Sequence, residues 1–198
     1  GRISIVSLVK VPVVRYFGGV KICVVGKGGR EHALIRALRE SVSQPEVFCF
    51  PGSEAIHEIE GAGIVEAHDL DSLISWMIMK SIDLCIAGEE SYLVTGEGLA
   101  NRCEEAGIPC WGPPFAAAQM EASKEFAKEF MQRHEIPTGA ASGCADVEEA
   151  RAAIGGKYPT VLKFAGLAAG QGVAVCPDAA SAAEFLPEVL VARRFGPG

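Results

Sequence analysis

From residue 21 onward, short β-branched apolar runs alternate with segments of helical periodicity, and this alternation is what most narrows the fold. KICVV (21–25), EVFCF (46–50), residues 64–66, DLCIAG (83–88) and residues 108–111 read as strands. Between them REHALIRALRES, residues 70–80 and residues 98–106 read as helices, the first with Ala33, Leu34, Ala37 and Leu38 on its apolar face. Strand, helix, strand in succession demands crossovers, so the pattern predicts an α/β chain with a parallel, doubly wound sheet. Ligands of such sheets bind beyond the carboxyl ends of the strands, here residues 26–30, 51–54 and 88–96.

Gly112-Pro113-Pro114 closes that unit, because proline cannot continue a central strand. Helices over 115–121 and 123–135 then form a connector. Residues 138–141, 160–164 and 173–176 read as strands of a smaller subdomain, with the glycine-rich turn GLAAGQG (166–172) between the last two and a helix over 181–191. The expected organisation is an extension or leader outside the fold at 1–20, a first domain at 21–113, a helical connector at 114–137 and an incomplete subdomain at 138–198. The first twenty residues contain Arg2, Lys10 and Arg15 and no acid, in a chain of net charge −7 that opens on Gly1 rather than Met. This reads as upstream read-through or a truncated leader.

With 49% apolar and 22% charged residues the chain is globular, and its acidic balance disfavours a sequence-independent grip on nucleic acid or an anionic membrane. Lacking any apolar run of about 18 residues, it reads as soluble and cytoplasmic. The seven cysteines include no C-x-x-C pair and no histidine at ligand spacing, so no metal site is expected. Cys23, Cys49 and Cys85 sit inside apolar runs and read as small buried thiols in a reducing compartment.

Two stretches carry chemistry. Gly26-Lys27-Gly28-Gly29-Arg30 leaves a strand and opens a helix, a setting in which backbone N–H groups and the helix dipole cradle a phosphate. Lys27, Arg30 and His32 add donors. A tight turn without ligand is the alternative. A dinucleotide fingerprint would need glycine where Glu31 stands and an acid where Phe50-Pro51-Gly52 stands, so NAD is disfavoured. In TVLKFAGLAAGQGV, Lys163 ends a strand and a glycine-rich turn follows, able to fold over a nucleotide's phosphates or to be a plain surface hairpin. On pattern alone Lys124 is solvated, Glu89 and Glu90 lie at the ligand-facing edge, and Met120 and Met131 pack.

GKGGREHA (26–33), GEESYLV (88–94), GPPFAAAQMEASKEFAKEFM (112–131) and VLKFAGLAAGQGV (161–173) together resemble the phosphoribosylamine-glycine ligases, or glycinamide ribonucleotide synthetases, of the ATP-grasp superfamily. The resemblance implies a parallel doubly wound pre-ATP-grasp domain followed by the small ATP-grasp subdomain, with the catalytic C-terminal part absent. It places Gly28, Gly29, Arg30, Glu31, Pro51, Gly52 and Glu90 at the phosphoribosylamine pocket. It places Lys124 and Lys163 at ATP, together with the turn Gly166, Leu167, Ala168, Ala169, Gly170, Gln171, Gly172. The implied substrates are phosphoribosylamine, glycine and ATP, with Mg2+ as cofactor, in a monomer of purine biosynthesis.

The implied reaction is an ATP-dependent carboxylate-amine ligation: ATP phosphorylates the glycine carboxylate, and the amine displaces phosphate to give the amide. The family's magnesium carboxylates lie beyond residue 198, so the chain alone is expected to be inactive. Departures from the family's usual residues are Lys27 for Gly, Ser53 for Asn, Glu89-Glu90-Ser91-Tyr92 for Pro-Glu-Ala-Pro, Ala165 for Asp and Gln171 for Lys. The last two remove a polar anchor and a positive phosphate partner, which predicts weaker ATP binding. The alternatives are a non-catalytic nucleotide or sugar-phosphate binding remnant, or another ATP-grasp carboxylate-amine ligase, against which the GREHA block argues.

Overall fold

A computed structural model describes residues 19–166, 172–192 and 194. Its first unit is a five-stranded parallel sheet of order β3-β2-β1-β4-β5, formed by β1 (Lys21–Gly26), β2 (Glu46–Pro51), β3 (Ala62–Ile64), β4 (Leu84–Ala87) and β5 (Cys110–Trp111). The chain adds β2 and β3 on one side of β1, then crosses to add β4 and β5 on the other. The strand order therefore reverses between β1 and β4, and their carboxyl ends open a crevice at that point.

Helices cover both faces. The period of two in β1 sends Cys23 and Val25 into a core shared with α3 (Leu70–Lys80), α4 (Leu99–Glu105) and α5 (Phe115–Ala122). Ile22 and Val24 face the opposite core, under α1 (Gly29–Glu40) and the one-turn helix α2 (Glu54–His57). Burial on both faces explains why this strand reads as an unbroken apolar run rather than as an alternation. Cys23, Cys49 and Cys85 are fully buried, as the sequence implied.

α3 matches its sequence reading end to end because both ends are marked. Asp69 accepts a hydrogen bond from the Ser72 N–H at 2.8 Å, and Ser81 closes the helix in the left-handed region at φ +54°. The face of α1 differs from expectation. Ile35 is its fully buried centre, with Leu34 and Leu38 partly buried beside it, while Ala33 and Ala37 are exposed.

After α6 (Lys124–Arg133), α7 (Val147–Ile154) and α8 (Ala179–Leu190) pack on a two-stranded antiparallel ladder of β6 (Thr160–Lys163) and β7 (Val173–Cys176). Leu162, Ala174 and Cys176 point inward. Val161, Lys163, Val173 and Val175 are exposed on the outer face. Three readings are corrected here. Residues 138–141 form no strand: they are exposed throughout, pair with no strand among the described residues, and Lys128 Nζ holds Thr138 Oγ1 and the Gly139 carbonyl instead. The third strand lies at Ala62–Ile64, two residues before the expected position, in register with Val47, Phe48 and Cys49. Met120 is 39% exposed rather than packed. Residues 1–18 lie outside the described residues, and no helix among those described is long and apolar enough to cross a membrane.

Candidate functional site

The crevice at the β1/β4 switch point is built around one carboxylate. β1 ends at Gly26 with φ +142°, a conformation side chains rarely adopt, and the chain turns through Lys27 and Gly28 into α1. Glu31, in the first turn of α1, folds back so that its Oε2 accepts the Gly28 N–H at 2.7 Å. This is the carboxylate half of a capping box, placed where the helix dipole favours negative charge. The side chain is only 3% exposed.

Its carboxyl group is clamped between two glycines. A Cβ on Gly26 would lie 2.7 Å from Glu31 Cδ, and one on Gly88, just past β4, would lie 2.6 Å from Glu31 Oε1. Gly88 has no positive φ, so its need for glycine is steric. Gly88→Ala should therefore expel the Glu31 carboxyl or strain the β4 exit, costing roughly 1–3 kcal/mol in a urea melt. Adding Glu31→Ala should recover most of that loss, since the clash and its partner then vanish together. An unchanged melting midpoint in Gly88→Ala would show that the clamp does not exist.

Glu31 Oε1 is buried and has no hydrogen-bond partner among the described residues; Arg30 Nε, at 4.0 Å, is too far to donate to it. Arg30 instead reaches across the crevice to Glu90, Nη2 to Oε2 at 2.8 Å. That hydrogen bond, with the backbone N–H of Glu90 itself, holds the Glu90 carboxyl below its ordinary range. The same pair raises the already high Arg30 pKa. Val25 O accepts from both Gly88 and Glu89 N–H groups, which seats this loop against the end of β1. On the other side Pro51 lies in register with Gly26, and the Gly52 N–H donates to the Gly26 carbonyl.

Gly28, Gly29, Arg30, Glu31, Pro51, Gly52 and Glu90 are thus gathered at one edge of the sheet. Residues 27–30 are exposed there, and the first-turn amides of α1 have no carbonyl partner within the helix. His32 does not join them. It lines a separate groove of about 530 Å³ between α1 and α2, with Arg36 and Arg39. Both guanidinium groups there are occupied, Arg36 by Glu40 and Arg39 by the carbonyls of Pro45 and Glu60.

In the second unit, Lys124 is tied to the exit of β6. Its backbone N–H donates to the Ala165 carbonyl at 3.0 Å, and its Nζ donates to the Gly166 carbonyl at 2.8 Å. Pattern alone had made it solvated; it is half-buried. Gly172 is buried and accepts from the Phe164 N–H, while Lys163 stands exposed on the outer face. Leu167, Ala168, Ala169, Gly170 and Gln171 lie outside the described residues.

Residues 20–121 match the N domain of phosphoribosylglycinamide synthetase, and residues 122–198 match its ATP-grasp (A) domain. The chain belongs to the phosphoribosylglycinamide synthetase family. It is 41% identical over 182 residues to a phosphoribosylamine-glycine ligase of Allochromatium vinosum, covering 89% of this chain and 42% of that protein. It is 38% identical over 183 residues to the trifunctional purine biosynthetic protein adenosine-3 of Drosophila melanogaster, covering 89% of this chain and 13% of that one. The chain thus spans well under half the length of these relatives. The solved phosphoribosylamine-glycine ligase of Thermotoga maritima aligns with a TM-score of 0.69 at 23% identity, over 90% of this chain and 41% of that one, and shows the shared fold. N5-carboxyaminoimidazole ribonucleotide synthetase of Thermus thermophilus shares it too, with a TM-score of 0.62 at 19% identity, over 84% of this chain and 43% of that one.

Members of this ATP-grasp family use ATP and Mg2+. Among the described residues, the only group of three or more potential metal ligands is Cys85, Cys103 and Cys110. Sulfur is the wrong donor for a hard ion that takes carboxylate, phosphate and water oxygens, so this thiol group is not a magnesium site. The sequence spacing had hidden this thiol group. Cys85 and Cys110 lie opposite each other in register on neighbouring strands, and α4 brings Cys103 over them.

Proposed function

We propose that this chain supplies the amine-substrate pocket and part of the nucleotide pocket of a phosphoribosylamine-glycine ligase, which joins glycine to 5-phosphoribosylamine at the expense of ATP. The observation that carries the reading is the buried, unpartnered Glu31 Oε1 in the switch-point crevice. Leaving such an oxygen without a donor costs on the order of 1–3 kcal/mol, and a charged one more, so the site is organised for a ligand that brings the donor. A phosphorylated aminosugar brings both halves of what the crevice lacks. Its phosphate takes the Gly29 and Arg30 amides, with the Lys27 and Arg30 side chains beside them, and its amine or a hydroxyl donates to Glu31.

The Arg30–Glu90 pair closes the far wall and orients the sugar. On the ATP side, Lys163 and the neighbouring outer valines face the nucleotide, and Lys124 holds the strand exit from which the glycine-rich turn departs. Glycine's carboxylate, activated as an acyl phosphate, then meets the amine held at Glu31.

Titrating the 198-residue chain with ribose 5-phosphate tests the pocket. The amide resonances of Gly28, Gly29 and Glu90 should shift first, saturating together. Shifts confined to Arg36, Arg39 and the α1–α2 groove would move the site elsewhere.

A further inference from the structure

The proposed ligase reaction leaves the three cysteines between β4, β5 and α4 unused. The Sγ atoms of Cys85, Cys103 and Cys110 all lie within 4.8 Å of one another. Bonds of about 2.3 Å from a thiophilic centre put ligating sulfurs roughly 3.5–4 Å apart, so closing on such a centre takes shifts below an ångström. Cys85 and Cys103 are fully buried and Cys110 is partly so. Cys110 also lines an open cleft of about 290 Å³ with Ala100, Glu104, Ile108 and Gly112, which supplies a way in from solvent.

What the site can hold follows from charge. The groups acting on the three thiols are cysteines alone, and no cationic side chain is among them. Three thiolates around a monovalent soft ion would leave a charge of −2 in this core, and around a divalent ion −1; either is costly where nothing compensates it. A trivalent, three-coordinate thiophile leaves none. We propose that Cys85, Cys103 and Cys110 form a three-thiol site for trivalent arsenic, taken up as arsenous acid. The exchange involves no redox change: three As–O bonds break, three As–S bonds form, and each thiol proton leaves with a hydroxide as water.

The test is native mass spectrometry of the 198-residue chain, reduced with a phosphine rather than a dithiol, during titration with sodium arsenite. The expected product is a single adduct whose mass increases by one arsenic less three hydrogens. Cys110→Ala, at the partly exposed position, should weaken it at least about a hundredfold by removing one arm of the chelate. Cys23→Ala and Cys144→Ala should leave it unchanged; Cys23 sits one strand along the same row, opposite Cys85. Zinc and cadmium chlorides, run as parallel arms, should bind more weakly than arsenite. An adduct that loses only two hydrogens, one that forms as tightly in Cys110→Ala, a stronger zinc or cadmium adduct, or no adduct with the folded wild-type chain would each overturn the assignment.

Discussion

Given phosphoribosylamine, glycine and ATP, the 198-residue polypeptide is expected to release ADP at the background rate, many orders of magnitude below a full-length ligase. Phosphoryl and acyl transfer depend on preorganised charge in a water-excluded site and on holding the reactants in line. The outer face of the β6–β7 ladder, where ATP would lie, exposes Val161, Val173 and Val175 to solvent at 51%, 45% and 69%. A nucleotide bound there meets bulk water, which screens the developing charge instead of stabilising it. Fusing these residues in frame to the remaining portion of a bacterial relative should restore glycine-dependent turnover. Glycine-dependent ADP release by the 198 residues alone would contradict this.

The second large effect concerns Glu31. Glu31→Gln preserves the side-chain shape and can still accept the Gly28 N–H, but it removes the charge and offers an amide to a ligand that needs an acceptor. Folding stability should change by less than about 1 kcal/mol, because the cap survives and one buried, unpaired polar atom, the carboxylate oxygen, is exchanged for another, the amide nitrogen. Affinity for the phosphorylated aminosugar should fall roughly ten- to a hundredfold, the equivalent of one charge-assisted hydrogen bond of about 1.5–3 kcal/mol. Calorimetry on the two proteins separates the effects. Equal affinity with lowered stability would make Glu31 a capping residue and nothing more.

Glu31 also shows where sequence reasoning reached and where it stopped. Its position after a strand-ending glycine turn is visible in GKGGREHA, and the β1, β2 and β4 runs locate the strand ends on which the crevice depends. The clamp is not visible, because Gly26 and Gly88 are far apart in the chain and meet Glu31 only through the β1–β4 pairing. α7 carries a start signal that the alternation of apolar runs does not bring out: Asp146 accepts from the Glu149 N–H at 2.8 Å, the kind of N-cap that marks a helix start. The false strand at 138–141 is the opposite case, in which local composition suggested a strand that no neighbour pairs with. On α1 the two leucines of the expected face, Leu34 and Leu38, pack on the core, but the two alanines do not, because alanine suits a helix anywhere, whereas Ile35 sits one turn beyond Glu31 on the side that meets the sheet.

The central claim is that the β1/β4 crevice receives the phosphorylated sugar, and a crystal structure of the chain soaked with ribose 5-phosphate tests it most directly. The account predicts phosphate density within hydrogen-bonding distance of the Gly29 and Arg30 amides, and a sugar hydroxyl donating to Glu31 Oε1. Phosphate bound among Arg36 and Arg39 in the α1–α2 groove, with Glu31 still unpartnered, would contradict it.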